Sequence, residues 1–349
     1  MRGTEYIKIG TRRIGPKYKP LIIFELGINH NGNLKFAKKI VDEAIKCGAE
    51  VIKHQTHIPE DEMSEEAKKI IPVHTKKNIY DIINSCALNE QEELELKKYI
   101  EKKNAIFLST PFSRKAVDRL VKFKVKAFKI GSGECNNYPL VDYIASFKKP
   151  IIISTGIADE KNIATALNIC KKNKNFNVIL LNCISSYPAK FDELNLNYIN
   201  VLRKFCPLLG YSDHSTSDLA SIISVSKGAK VIEKHFILSK KIRTPDSSFS
   251  YDPIEFKNLI KKIRDVEVML GSENINKKLI LKKKLKTVTR SIFYSKNINK
   301  GERITLENIK SVRPGTGLNL SYFTKIIGKK VKKSCKFGQP VKLKDITLN

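Results

Sequence analysis

The sequence predicts an α/β chain, a (β/α)8 barrel of the TIM type followed by a small separate module. Three observations carry this prediction. Short apolar runs of strand length alternate with stretches of helical periodicity, and eight such pairs can be drawn. Nearly every run passes from apolar residues into polar, chemistry-bearing ones at its C-terminal end. After Gly271 the alternation stops, and lysine-rich sequence leads into short strand and turn signals.

The strands fall at residues 21–26, 50–54, 105–109, 127–130, 150–154, 178–182, 208–212 and 231–235. Each is short and apolar on both faces, because one face of a closed barrel meets the interior and the other meets the helices outside. Between them, stretches such as 34–47, 90–102 and 253–270 space their apolar residues so that one helical face can pack on the sheet. The strand ends carry, in order, Glu25 with Asn29 and His30, then Lys53, His54 and Gln55, then Thr110, then Lys129, Ser132 and Glu134. Ser154 and Thr155 follow, then Ser185, Ser186 and Tyr187, then Ser212, Asp213 and His214, and finally Glu233 and His235. In a parallel barrel these ends open on one mouth, where the fold places its chemistry. The expected division is a barrel over 1–271, a linker over 272–286 and a compact module over 287–349. At about 60 residues such a module is near the lower limit for independent folding.

Composition sets the class. With 349 residues, 41% apolar and no low-complexity tract, the chain can bury a core throughout. Its longest apolar runs are strand-length, far below the roughly 20 residues of a membrane helix, so no membrane partner is expected. The first 15 residues lack the apolar block of a secretory signal, and a cytoplasmic location is expected. Seven scattered cysteines with no C-x-x-C pair read as reduced thiols. The net charge of +30 suggests a nucleic-acid binder at first sight, but only 11 of the 65 basic residues are arginine and no binding motif accompanies them. From Asn276 onward 20 basic residues face 3 acidic ones, so the tail alone carries +17. Such a field can steer anionic substrates.

Two histidines, His214 and His235, close consecutive strands, where their imidazoles can meet above the barrel and hold a divalent metal in an open site, with Glu25 in the same mouth. Mn²⁺, Co²⁺ or a similar ion suits two imidazoles with open positions better than Ca²⁺ does. His54 and His57 are weaker candidates for that role. Lys53 and Lys129 bring fixed positive charge to the mouth together with the hydroxyls of Thr110, Ser132, Ser154 and Ser212. A ligand bearing phosphate and carboxylate groups is the natural occupant.

The motifs that carry these residues are ELGINH at 25–30, KHQTHI at 53–58, STPF at 109–112, KIGSGECNN at 129–137, STG at 154–156, SDH at 212–214 and EKHF at 233–236. Taken together and in this order, they resemble the sialic acid synthase family over nearly the whole chain. The tail, with RS at 290–291, KGE at 300–302, RPG at 313–315 and GK at 328–329, is similar to the antifreeze-like (SAF) α+β domain that follows the barrel in that family. The resemblance implies condensation of phosphoenolpyruvate with N-acetylmannosamine to N-acetylneuraminate, with release of phosphate by C–O cleavage. It implies a metal, Mn²⁺ first with Mg²⁺ or Co²⁺ as alternatives, on His214 and His235. Lys53, Thr110, Lys129, Ser132, Ser154, Ser185 and Ser212 would bind phosphoenolpyruvate. Glu25 and Glu134 would serve water, hydroxyl contacts or proton transfer, and Gln55, Tyr187 and Asp246 would face the sugar. Arg313 would reach the sugar from the tail of a partner chain in a domain-swapped homodimer.

Two other readings stand beside this one. The same chemistry on a 2,4-diacetamido-dideoxy hexose would give legionaminate or pseudaminate. A basic polyanion-binding surface protein would account for the tail but not for the residues on eight strand ends.

Overall fold

A computed structural model of the chain describes residues 5–71, 77–271 and 285–347. Two compact units emerge, Met1–Leu270 and Gly271–Asn349. Most of the expected linker, 272–284, lies outside the described residues.

The first unit opens with an antiparallel hairpin, β1 (Ile7–Ile9) and β2 (Arg12–Ile14). The barrel strands follow as β3 (Leu21–Gly27), β4 (Val51–Thr56), β5 (Ile106–Pro111), β6 (Phe128–Ile130), β7 (Ile151–Ser154), β8 (Val178–Asn182), β9 (Leu209–Asp213) and β10 (Val231–His235). Their hydrogen-bonded order is β5-β4-β3-β10-β9-β8-β7-β6, all pairs parallel, and β5 and β6 at its two ends lie against one another. The sheet is thus nearly closed, as the alternation of apolar runs predicts.

Helices α1 (Leu34–Lys46), α2 (Pro59–Glu62), α3 (Ile79–Cys86), α4 (Glu90–Lys102), α5 (Arg114–Lys122), α6 (Tyr138–Ser146), α7 (Glu160–Lys172), α8 (Tyr198–Leu202), α9 (Leu219–Ser226) and α10 (Pro253–Leu270) complete the unit. Most of them start where short polar side chains satisfy the first free amides, α2, α8 and α9 being the exceptions. Asn33, Ser113 and Asn137 cap α1, α5 and α6, while Asn89 with Glu92 and Asp159 with Asn162 form reciprocal capping boxes on α4 and α7.

Side chains two apart on a strand share a face, and this splits each strand between two cores. Ile22, Phe24, Ile52, Phe107, Phe128, Ile153, Leu180 and Tyr211 pack outward with the helices. Leu21, Ile23, Val51, Leu108, Ala127, Ile152, Ile179 and Val231 face the axis, and Ile7, Ile9 and Ile14 of the N-terminal hairpin join them. The hairpin therefore closes the N-terminal end of the barrel. It went unseen in the sequence because two three-residue strands carry too little periodicity. On β3, β4, β5, β6, β7 and β10 the next inward position, one layer higher, is polar, whereas β8 carries Leu181 there and β9 Gly210.

A buried polar cluster also lies on the outer side of β4 and β5. Glu93 of α4 accepts from the Thr56 hydroxyl and from Arg119 Nη1 at 3.0 Å, and His54 Nε2 stands 3.8 Å from it. Burial pushes the Glu93 carboxyl up to about 7 despite these partners.

The second unit has its own core of Ile292, Tyr294, Ile298, Ile304, Ile309, Ile326, Val331, Val341 and Ile346. Its strands β11 (Ser291–Tyr294) and β12 (Ile309–Val312) pair antiparallel, and among the described residues its helical part consists of three single-turn 3-10 segments.

Candidate active site

The polar layer surrounds a cavity of about 240 Å³ at the C-terminal end of the barrel. Glu25, Lys53, Gln55, Thr110, Lys129, Ser132, Ser154, Ser185, Tyr187, Ser212, His214 and His235 all line it, together with Phe112, Cys183 and Glu233. These residues come from all eight barrel strands or the turns directly after them, so the convergence expected from the strand ends is present.

At its floor two ammonium groups meet two carboxylates. Lys53 Nζ stands 2.9 Å from Glu25 Oε2 and 3.5 Å from Glu233 Oε1, and donates to Thr110 Oγ1 at 3.3 Å. Lys129 Nζ donates to Ser154 Oγ at 2.6 Å and to the Ile130 carbonyl at 3.1 Å, with Glu233 Oε1 at 3.9 Å. Burial pushes the Glu25 carboxyl up, and Lys53 draws it only part of the way back. It acts upward on Glu233 too, but the charges of Lys129 and Lys53 outweigh it and hold that carboxyl low. For Lys53 the two carboxylates outweigh burial and raise the ammonium, whereas Lys129, with less compensation, is lowered by burial. The centre thus combines buried opposite charges of which Glu25 and Lys129 remain under-compensated, a site ready for an anionic ligand.

Glu233 was visible in the sequence only as one polar strand end among many. Its position between both lysines follows from the barrel's closure, which sequence spacing does not reveal. Phe249 gave no signal at all, yet its ring lies 4.7 Å from that of His235 and 5.1 Å from that of Tyr187.

A hydroxyl cradle forms one wall. Ser185 Oγ bonds Ser132 Oγ at 2.9 Å, and the Ile157 amide donates to Ser132 Oγ at 2.9 Å. Gly156 permits this approach, since a Cβ there would stand 2.7 Å from both Ser185 Oγ and Cys183 Sγ. On the adjoining strands β9 and β10, Ser212 donates to Glu233 Oε1 at 3.0 Å.

The histidines lie with ring centroids 5.7 Å apart. His214 Nδ1 donates to the Ile184 carbonyl at 2.7 Å, which fixes the tautomer and turns the Nε2 lone pair toward the cavity, with Ser212 Oγ 3.5 Å from it. Burial, then the neighbouring His235, hold His214 down to about 4, so the ring is neutral at pH 7, the form that binds metals. His235 Nδ1 is 3.2 Å from Asp246 Oδ2, an ion-pair distance, yet neither atom has a hydrogen-bond partner among the described residues. Gly27, at φ +53°, leaves the room for Asp246 here. No group of three or more His, Cys, Asp or Glu among the described residues is arranged around a common metal position. Two imidazoles, that of His214 backed by a carbonyl and that of His235 by a carboxylate, nevertheless fit an open site whose other positions water and substrate oxygens would fill.

Not every expected residue is brought here. Glu134 is absent from the cavity lining, its carboxylate being held by Asn137 Nδ2 at 2.6 Å and raised by burial. Asp246 stands behind His235 rather than on the cavity surface. Arg313 belongs to the second unit, on a turn pinned by the Ser291 hydroxyl to the Pro314 carbonyl at 2.8 Å. Strand alternation turns Asp213 outward between Ser212 and His214, where Lys234, Ser215 and Ser221 occupy its oxygens. His54 likewise faces outward, toward Glu93.

Compared with known families, residues 40–275 match the NeuB family and residues 289–347 match the SAF domain. The chain belongs to the NeuB family. An uncharacterized protein of Methanocaldococcus jannaschii is 42% identical over 329 residues, 94% of this chain and 95% of its own length. Pseudaminic acid synthase of Campylobacter jejuni subsp. jejuni serotype O:2 is 37% identical over 332 residues, 94% of this chain and 96% of its own. Among solved structures, N-acetylneuraminic acid synthetase from Leptospira borgpetersenii serovar Hardjo-bovis, in complex with citrate, is 30% identical with a TM-score of 0.72, covering 80% of this chain and 97% of that one. No helix among the described residues is long and apolar enough to cross a membrane.

Proposed function

We propose that this NeuB-family chain is an N-acetylneuraminate synthase, condensing phosphoenolpyruvate with N-acetylmannosamine. The observation that supports it most is that the buried ammoniums Lys53 and Lys129, on β4 and β6, share one cavity with the imidazoles of His214, just after β9, and His235, on β10. One side of the cavity suits a phosphate and a carboxylate, and the other suits the carbonyl end of a sugar.

Lys53, Lys129 and Thr110, with the hydroxyls of Ser132, Ser154, Ser185 and Ser212, would hold phosphoenolpyruvate by charge-assisted hydrogen bonds. C3 of phosphoenolpyruvate bonds to C1 of the open-chain sugar, whose oxygen takes up a proton. Water adds at C2, and the C2–O bond to phosphate then breaks. Glu25, raised by burial, is suited to hold or pass a proton in this sequence. Gln55 and Tyr187 would meet the sugar, Asp246 would support His235 from behind, and Arg313 would be contributed by a partner chain. His214 and His235 would hold a divalent metal, Mn²⁺ with Mg²⁺ or Co²⁺ as alternatives, which supplies Lewis-acid polarisation of the aldehyde.

A second reading keeps the chemistry and changes the sugar to a 2,4-diacetamido-dideoxy hexose. The 37% identity to pseudaminic acid synthase favours it. Phosphate release from phosphoenolpyruvate, measured with each sugar and each metal after chelation, separates the two. A preference of about tenfold or more for a diacetamido sugar, well within what pocket hydrogen bonds to substrate can produce, would replace N-acetylmannosamine as the acceptor.

A further inference from the structure

A chain of contacts leaves the cavity on the β4 side. Gln55 donates through Nε2 to Glu25 Oε1 at 2.9 Å, and its Oε1 faces His57 Nε2 at 3.1 Å. His57 lies flat on Phe112, with ring centroids 4.3 Å apart and 11° between planes. The other ring nitrogen, Nδ1, meets both oxygens of Glu62, at 2.9 and 3.2 Å. Sequence dictates this local arrangement. β4 ends at Thr56, Pro59 starts α2, and Glu62 closes that single turn directly beside His57.

We propose that His57, clamped by Glu62 and Phe112, is a positioning residue that sets which way the Gln55 amide points and so keeps its NH₂ group on Glu25. An amide has one donor end and one acceptor end, and only its neighbours decide which faces where. Were Gln55 turned over, its oxygen would meet a Glu25 oxygen, and a buried carboxylate would lose its donor. A proton on His57 Nε2 prevents this by demanding the amide oxygen. Nδ1 then faces the two carboxylate oxygens of Glu62, which hold the ring from its far side. The chain thus carries orientation from an ion pair outside the cavity to the side of the site that meets the sugar. The kinetic part of this proposal rests on the synthase reading above.

Three substitutions separate positioning from mere packing. In His57→Gln the side-chain amide nitrogen takes the place of Nε2 and can still donate to Gln55. In His57→Asn it takes the place of Nδ1 and cannot, and in His57→Phe only the stacking survives. His57→Asn and His57→Phe are expected to raise the KM for the sugar by about tenfold or more, the cost of losing a hydrogen bond to a charged group, while the KM for phosphoenolpyruvate stays within about twofold. His57→Gln should restore the sugar KM to within about threefold of wild type. A sugar KM unchanged in His57→Asn, a fall in kcat alone, or a His57→Gln as impaired as His57→Asn would each overturn the proposal. A ligand-free measurement stands apart from turnover. In ¹⁵N-histidine spectra of the whole wild-type chain, His57 Nε2 should carry a bonded proton, and an unprotonated Nε2 overturns the proposal. If no sugar supports phosphate release, the synthase reading fails and the spectrum still decides the role of His57.

Discussion

Lys53 and Glu25 face each other from neighbouring strands with Nζ 2.9 Å from Oε2, and their side chains are only 4% and 1% exposed. Neither can exchange its partner for water. Lys53→Met would leave Glu25 and Glu233 buried without their nearest counter-charge, a change that costs about 3–5 kcal/mol in buried pairs. The thermal midpoint of the barrel is therefore expected to fall clearly, and the double variant Lys53→Met with Glu25→Gln to regain part of the loss, because the unpaired charge is removed with its partner. Melting curves of wild type, both single variants and the double variant check this. A double variant no better than Lys53→Met would mean that the two groups do not act as a pair.

His235 and Arg313 offer a test of how copies of the chain cooperate. His235→Ala removes a proposed metal-holding group, and its loss should exceed the roughly 10- to 100-fold typical of residues that only support a ligand. Arg313→Ala should impair the sugar side. If Arg313 serves a partner's barrel, mixing the two variants at 1:1 after unfolding makes half of the dimers heterodimers with one intact site each. About a quarter of wild-type activity then returns, by counting sites. If Arg313 serves its own chain, every site keeps a defect and the mixture stays inactive.

Glu93 makes the stability of the barrel depend on pH. Its folded pKa, raised by burial to about 7 from an ordinary 4.5, means that the folded state prefers the protonated form. That contribution is complete below about pH 4.5 and is lost as pH rises through about 7, up to about 3 kcal/mol for a shift of this size. Glu93→Gln imitates the neutral acid permanently. Relative to wild type, the variant should melt progressively higher as pH is taken from 5 to 8. A constant difference between the two melting points across that range would show that Arg119 keeps Glu93 ionised throughout.

Much of the barrel was legible because each strand had to be apolar on both faces. The expected limits 178–182 and 231–235 coincide with β8 and β10, and 90–102 and 253–270 with α4 and α10. Strand ends such as Lys53, Lys129 and His214 were legible for a related reason, since a charged residue closing an apolar run must either find a mouth or be costly. What stayed hidden depends on closure. Whether Ser212, Asp213 or His214 faces the axis is a matter of parity, and one step turns a cavity residue into a partner of Lys234 behind the wall. The role of Glu233 between two lysines, and the contact of His57 with Glu62, arise from strands and turns that spacing alone does not bring together.

The hairpin of Ile7, Ile9 and Ile14 makes the barrel a cul-de-sac. Among the described residues the cavity lies toward the C-terminal mouth, so a ligand seated deepest would come in first and go out last. Lys53 and Lys129 are almost inaccessible at 3% and 2% exposure, whereas Tyr187 near the rim is 50% exposed. A small anion seated on the lysines would be trapped behind a sugar resting against Tyr187. Timetable and depth then become the same thing: a queue enforced by a floor.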